Sequence, residues 1–127
     1  MEPEDFNSIV RLTPLIAIDL MVRSPEGRIL VGRRTNQPAR GSLFVPGGRI
    51  SKNETLAAAF RRVSLAELGV EKQRVDARFL GVYEHFYTTN NLERPGFGTH
   101  YIVLAHEVTS SVPDASLPKD QHAEYLW

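Results

Sequence analysis

The chain of 127 residues contains no cysteine, which excludes disulfide bonds and thiol catalysis and leaves the redox compartment open. It also lacks an excess of charge of either sign, since 15 basic and 15 acidic residues cancel. General attraction to nucleic acid or to an anionic membrane is therefore not expected. No apolar run is long enough to cross a bilayer. The first residues are acidic, so the basic start and apolar stretch of a signal peptide are missing. Repeats and low-complexity tracts are absent as well. These absences lead to the expectation of a soluble, cytoplasmic protein with no nucleic-acid or membrane partner. The length suits a single domain, 1–127, with a real core.

What is present is concentrated between Pro46 and Val70. Pro46-Gly47-Gly48 is a strong breaker and reads as a turn. Asn53 is the expected N-cap, with Glu54 in the positively polarised first turn. Leu56, Ala59, Phe60, Val63 and Ala66 then fall at helical spacing and predict a helix over 55–68 with one face on a core. Gly69 stops it. Arg62 and Glu67 are five residues apart, about 140° around the helix, and flank different sides of its polar surface. Glu54 reaches Arg62 only if the loop folds back over the helix.

Around this stretch the pattern alternates strand and loop. Met1 to Asn7 is polar and reads as loose, with Phe6 either packing on the domain edge or stacking on a ligand. Strands are expected near 13–22, 28–33, 74–87 and 99–108, with a short one at 43–45. Asp19 interrupts the first strand, where a buried carboxylate is costly unless partnered. Ser24 to Gly27 is a hairpin turn. Arg33 and Arg34 close the second strand, and paired arginines are commonly solvated charge. His85 sits in an aromatic strand and reads first as structural. Residues 88–98 form a polar loop of the kind that rims ligand sites. Tyr101 reads as core with a hydroxyl in need of a partner. Thr109 to Asp120 reads as loop, and the following His122 is read in a loop as well. His122 there has an unperturbed pKa near 6.5 and can take a proton at neutral pH.

The residues Gly48, Glu54, Arg62, Glu67, Gly69 and Val70 match the Nudix box in register. Val63 stands where the box has the Glu after its Arg, Ala66 where it has the first Glu of a pair, and Ser64 at an apolar position. With FVPGGR, ETLAAAF and AELG, and with LTPLIAIDL, GRRTNQPARG, GVYEHFY, THYIVLAHE and QHAEYLW, the chain resembles the GDP-mannose mannosyl hydrolases, a Nudix subfamily lacking the same two carboxylates. The resemblance implies an α/β Nudix fold, a mixed β-sheet sandwich carrying the box helix. Members of that subfamily continue past the position of Trp127 into a helix over the sheet. A fold without that C-terminal helix is therefore expected, with the sheet face covered in a homodimer.

The same resemblance assigns roles. Glu67 and a carbonyl of Gly47 or Gly48 hold one Mg²⁺ or Mn²⁺, with the Gln121 oxygen completing the shell. Arg34, Arg49 and Tyr101 reach the diphosphate. Asp19 accepts from sugar hydroxyls, Phe6 stacks on the base, and His122 is the general base. Glu54 and Arg62 pair and brace the loop. One metal with two arginines suits departure of a whole nucleoside diphosphate, with water displacing it at sugar C1 and inverting that carbon. The implied reaction is hydrolysis of a GDP-sugar, GDP-mannose or GDP-glucose, to GDP and sugar. Two alternatives stay open: an ordinary Nudix pyrophosphatase cutting a P–O bond, and a nucleotide-sugar binding module with impaired catalysis.

Overall fold

In the computed structural model of the chain, residues 1–34, 43–109, 117 and 122–126 are described, without the side chains of Arg34, Leu43 and residues 122–125. A first helix, α1 (Pro3–Leu12), is followed by β1 (Leu15–Val22), β2 (Val31–Arg34), β3 (Leu43–Phe44) and β4 (Gly47–Arg49). Then come α2 (Leu56–Leu68), a 3-10 turn (Arg74–Asp76), β5 (Arg78–Tyr87), β6 (Thr99–Val108) and β7 (His122–Leu126). The strands form two sheets, ordered β4-β1-β6-β5 and β3-β2-β7. β1 and β6 run parallel, while β4 and β5 flank them antiparallel, so the larger sheet is mixed. This is the mixed α/β architecture expected from the sequence.

The side-chain period of two divides the larger sheet into faces of different character. Ile18, Leu20 and Val22 of β1 point to one side and are fully buried, packed with Ala59, Phe60, Val63 and Leu68 of α2 and with Leu30, Val108 and Leu117. Farther along that face Ile16, Val82 and Phe86 are 43%, 59% and 70% exposed. Leu15, Ala17 and Asp19 point to the opposite side, together with Tyr101 and Val103 of β6. His85 and Tyr87 of β5 join them through register pairs with Tyr101 and Thr99.

Several local expectations are corrected. The N-terminal residues are not loose but helical: Pro3 opens α1, Glu4 and Asp5 occupy its first turn, and Asn7 and Val10 are buried one turn apart. Gly47-Gly48 is not a turn but strand β4, paired with Ile18 and Asp19. The cap of α2 is Thr55, whose hydroxyl accepts from Ala58 N–H at 3.1 Å. Asn53 instead adopts left-handed backbone, φ 68°, which its short polar side chain tolerates. The buried face of α2 is rotated from the apolar stripe: Leu56 and Ala66 are exposed, while Ser64 and Glu67 are buried. Ser64 is satisfied there, accepting from Lys72 N–H at 2.8 Å and donating to Arg61 O at 3.0 Å. His122, read in a loop, lies instead on β7 (His122–Leu126), which pairs with β2. Among the described residues no helix is long and apolar enough to cross a membrane.

Candidate active site

A cavity of about 680 Å³ lies between the polar face of the larger sheet, one side of α2, and α1. Its floor is Gly47. The Gly47 N–H donates to Glu67 Oε1 at 3.2 Å. A Cβ placed on Gly47 would lie 2.5 Å from the Ile18 carbonyl oxygen and 2.8 Å from Asp19 Oδ1, so only glycine fits. Two carboxylates from elements nearly fifty residues apart thus converge on one glycine. Burial pushes the Asp19 carboxyl up to about 6, against the opposing influence of the His85 ring. Glu67 is 5% exposed and is the one acidic residue of α2.

The missing box carboxylates have a structural counterpart. Val63 is buried, and a Cβ on Gly48 would come within 3.1 Å of its Cγ2, so the valine packs under the strand. Ala66 opens onto the cavity with nothing beyond its methyl group. Arg62 lines the cavity and holds Glu54 outside it. Arg62 Nε donates to Glu54 Oε2 at 2.8 Å, and its second nitrogen donates to Glu54 Oε1 at 2.9 Å and to the Arg49 carbonyl at 2.7 Å. Ser51 N–H also donates to Glu54 Oε1 at 3.0 Å. The arginine, with the Ser51 N–H, holds the Glu54 carboxyl down to about 2. The loop does fold back over the helix, as pairing required.

The walls are aromatic and cationic. The Arg49 guanidinium lies over the Phe6 ring, 4.1 Å from its centroid. Tyr87 meets Tyr101 and Phe44 edge-on at 6.0 and 5.7 Å and stacks with His85 at 6.3 Å. Of the candidates read from sequence, Phe6, Asp19, Gly47, Gly48, Arg49, Arg62, Glu67 and Tyr101 all line this one cavity. Arg34 and His122 are register partners across β2 and β7. Their side chains, and Gln121 altogether, lie outside the described residues. His85 and Tyr87 were undervalued in the sequence. The available signal was their alternation with Tyr83, which puts both on one face.

The donor set fits a hard divalent ion. Glu67 supplies a carboxylate at the cavity, next to the β4 backbone whose Gly47 N–H it accepts from, and oxygen ligands are the preference of Mg²⁺ and Mn²⁺. Among the described residues no group of three acidic, His or Cys side chains gathers to hold a metal.

Residues 13–127 match the family described as NUDIX domain, and the chain belongs to that family of hydrolases of nucleoside diphosphate derivatives, which generally use divalent ions such as Mg²⁺. It is 45% identical over 123 residues to the low-salt glycan biosynthesis protein Agl8 of Haloferax volcanii, covering 95% of this chain and 74% of that one. Among solved structures, a MutT NUDIX hydrolase from Burkholderia pseudomallei superposes with a TM-score of 0.68 at 24% identity, covering 91% of this chain and 82% of its own. The NUDIX domain of Shewanella oneidensis NrtR, complexed with ADP ribose, gives 0.55 at 16% identity, over 89% and 73%. At these identities the structures are alike in fold alone.

Proposed function

We propose that the protein hydrolyses a GDP-sugar, GDP-mannose or GDP-glucose, to GDP and the free sugar by attack of water at sugar C1 with inversion, in the manner of the GDP-mannose mannosyl hydrolases. The observation that carries this reading is the solitary Glu67. With Val63 packed under Gly48 and Ala66 bare, α2 offers the cavity one carboxylate. That is too little acidic charge for several ions at an attacked phosphorus, and enough for one Mg²⁺ or Mn²⁺ on a departing diphosphate. The glycan-biosynthesis name of the Haloferax relative accords with a nucleotide-sugar substrate.

The bound ion, held by Glu67, the Gly47 or Gly48 carbonyl and Gln121, supplies neutralisation of diphosphate charge. Arg49, Arg34 and Tyr101 share that task through hydrogen bonds to phosphate oxygens. Phe6 stacks on the base, and Asp19 accepts from sugar hydroxyls. Water forms the new bond to C1 as the C1–O bond breaks, and that bonding pair leaves with GDP. The water proton passes to the neutral His122 imidazole. His85 is the second candidate for that base, because it lines the cavity near enough to Asp19 to influence its ionisation. Ile16, Val82 and Phe86, exposed on one sheet face, support a homodimer that covers them, checked by sedimentation at micromolar concentration.

The deciding experiment is hydrolysis of GDP-mannose with Mg²⁺ in ¹⁸O-water. Label in the sugar is expected. Label in phosphate replaces this reading with an ordinary Nudix pyrophosphatase, and no turnover of GDP-mannose, GDP-glucose or ADP-sugars replaces it with a binding module. His122→Gln is expected to lower kcat by about 10²–10⁴-fold and flatten the rising pH limb. An unchanged kcat moves the base to His85.

A further inference from the structure

The far end of the cavity is built from two segments that meet only in the folded chain. α1 contributes Phe6, and the loop over 88–98 contributes Asn91 and Glu93. The joint between them is Asn7, a buried amide on a helix whose other buried residue is Val10, with Phe6 and Ile9 half-buried. Its Nδ2 donates to Asn91 Oδ1 at 2.8 Å and to Asn90 Oδ1 at 3.2 Å. Asn90 is fully buried and braces the loop from within. It accepts from Leu92 and Arg94 N–H at 3.2 and 3.1 Å and donates to the Arg94 and Phe97 carbonyls at 2.8 and 3.0 Å. Those four bonds do not involve Asn7. The loop thus has hydrogen bonds of its own that do not involve the helix.

We propose that Asn7 is a positioning residue of the nucleotide site, an inference that rests on the cavity taking a nucleoside diphosphate. Asn7 fastens α1 to the 88–98 loop and so sets the neighbouring Phe6 ring at the cavity wall. The Arg49 guanidinium is stacked on that ring, and the ring thereby fixes where the arginine meets a phosphate. The exposed Glu4–Arg94 ion pair between the same segments contributes little, being screened and solvated. Asn7 touches no ligand itself. Its effect is on binding, because Glu67, Asp19 and Tyr101 stand on other elements.

The test uses Asn7→Leu, which keeps volume and removes the donor, and Asn91→Ala, which removes the shorter of the two bonds from the loop side. GDP affinity is measured by calorimetry with Mg²⁺, KM and kcat with GDP-mannose, and amide exchange over residues 4–10. Both variants are expected to weaken GDP binding and raise KM by about 10-fold, with the larger part of the loss in kcat/KM carried by KM and faster exchange in α1. GDP affinity and KM like wild type overturn the assignment. So does a fall in kcat that matches a fall in melting midpoint, which marks a purely structural role. Sugar turnover plays no part in the calorimetry. A wild type that binds GDP without hydrolysing GDP-mannose therefore overturns the proposed reaction and not the role of Asn7.

Discussion

Two clamps hold this cavity, and they are built differently. At one side, Glu54, Ser51, Arg49 and Arg62 lie within 14 residues of sequence and share four hydrogen bonds from an arginine and a main-chain amide. At the far end, Asn7 reaches across 83 and 84 residues to two asparagines, and Glu4 crosses 90 to Arg94. The near clamp is ionic and closes a short loop onto its own helix. The far clamp is a buried neutral amide joint, with an exposed ion pair beside it, between elements distant in sequence. The difference lies in what each controls. The near clamp ties the Arg49 carbonyl at the end of β4, and the far clamp ties α1, which carries Phe6, to the 88–98 loop.

This contrast is open to breaking. The largest effect is expected at the floor that the near clamp supports. Glu67→Gln should lower turnover by at least about 10²-fold, since even outer partners of a metal site cost up to that much. Circular dichroism and melting should stay near wild type, because the amide oxygen can still accept from Gly47 N–H. Full activity in excess chelator removes the metal from the scheme.

Next comes the clamp itself. Glu54→Gln should cost about 10-fold in kcat, the lower end for a residue supporting a site. It should also change acid stability in a defined window. The folded Glu54 carboxyl is held at about 2, below its ordinary 4.5. The native state therefore binds fewer protons than the unfolded one between those values, and this stability is present above 4.5 and lost as pH falls toward 2. Urea unfolding across that range should show a shallower loss for Glu54→Gln than for wild type.

A smaller effect belongs to the outer side of α2. His106 is buried between Phe60 and Phe79, accepts from Arg74 Nε at 3.1 Å and bonds Leu104 O at 2.9 Å. Burial, aided by Arg74, holds its pKa below 6.5. The unfolded state takes up the proton first, so stability declines as pH falls below 6.5. His106→Gln should flatten that decline in thermal melts. The smallest effect is expected at the ionic part of the far clamp. Glu4→Gln should leave kcat, KM and melting midpoint unchanged. A loss comparable to that of Glu54→Gln would erase the distinction between the clamps.

The residues of the box were legible in sequence because their spacing is local. A helix of known pitch, a glycine stop and an acid–base pair eight residues apart leave few arrangements, and the Glu54–Arg62 pair formed as that geometry required. Strands β1 and β6 were legible for the same reason, as continuous apolar runs. The apolar stripe of α2 was legible only approximately. Leu56 and Ala66 lost their place inside to Ser64 and Glu67, because the loop after the helix and the β4 backbone supply partners that a helical wheel does not contain.

By itself, then, the sequence determined the loop–helix unit, the alternation of strands and the depletion of carboxylates from α2. Tertiary structure decided everything that depends on distant segments meeting. It made Gly47 a strand between two carboxylates, paired Arg34 with His122 across β2 and β7, and turned a polar N-terminus into a helix. The physical reason is one of range. Backbone pitch and turn chemistry act over a few residues and can be read along the chain. A buried amide such as Asn7 finds its acceptors only once the sheet has brought residues 90 and 91 beside it.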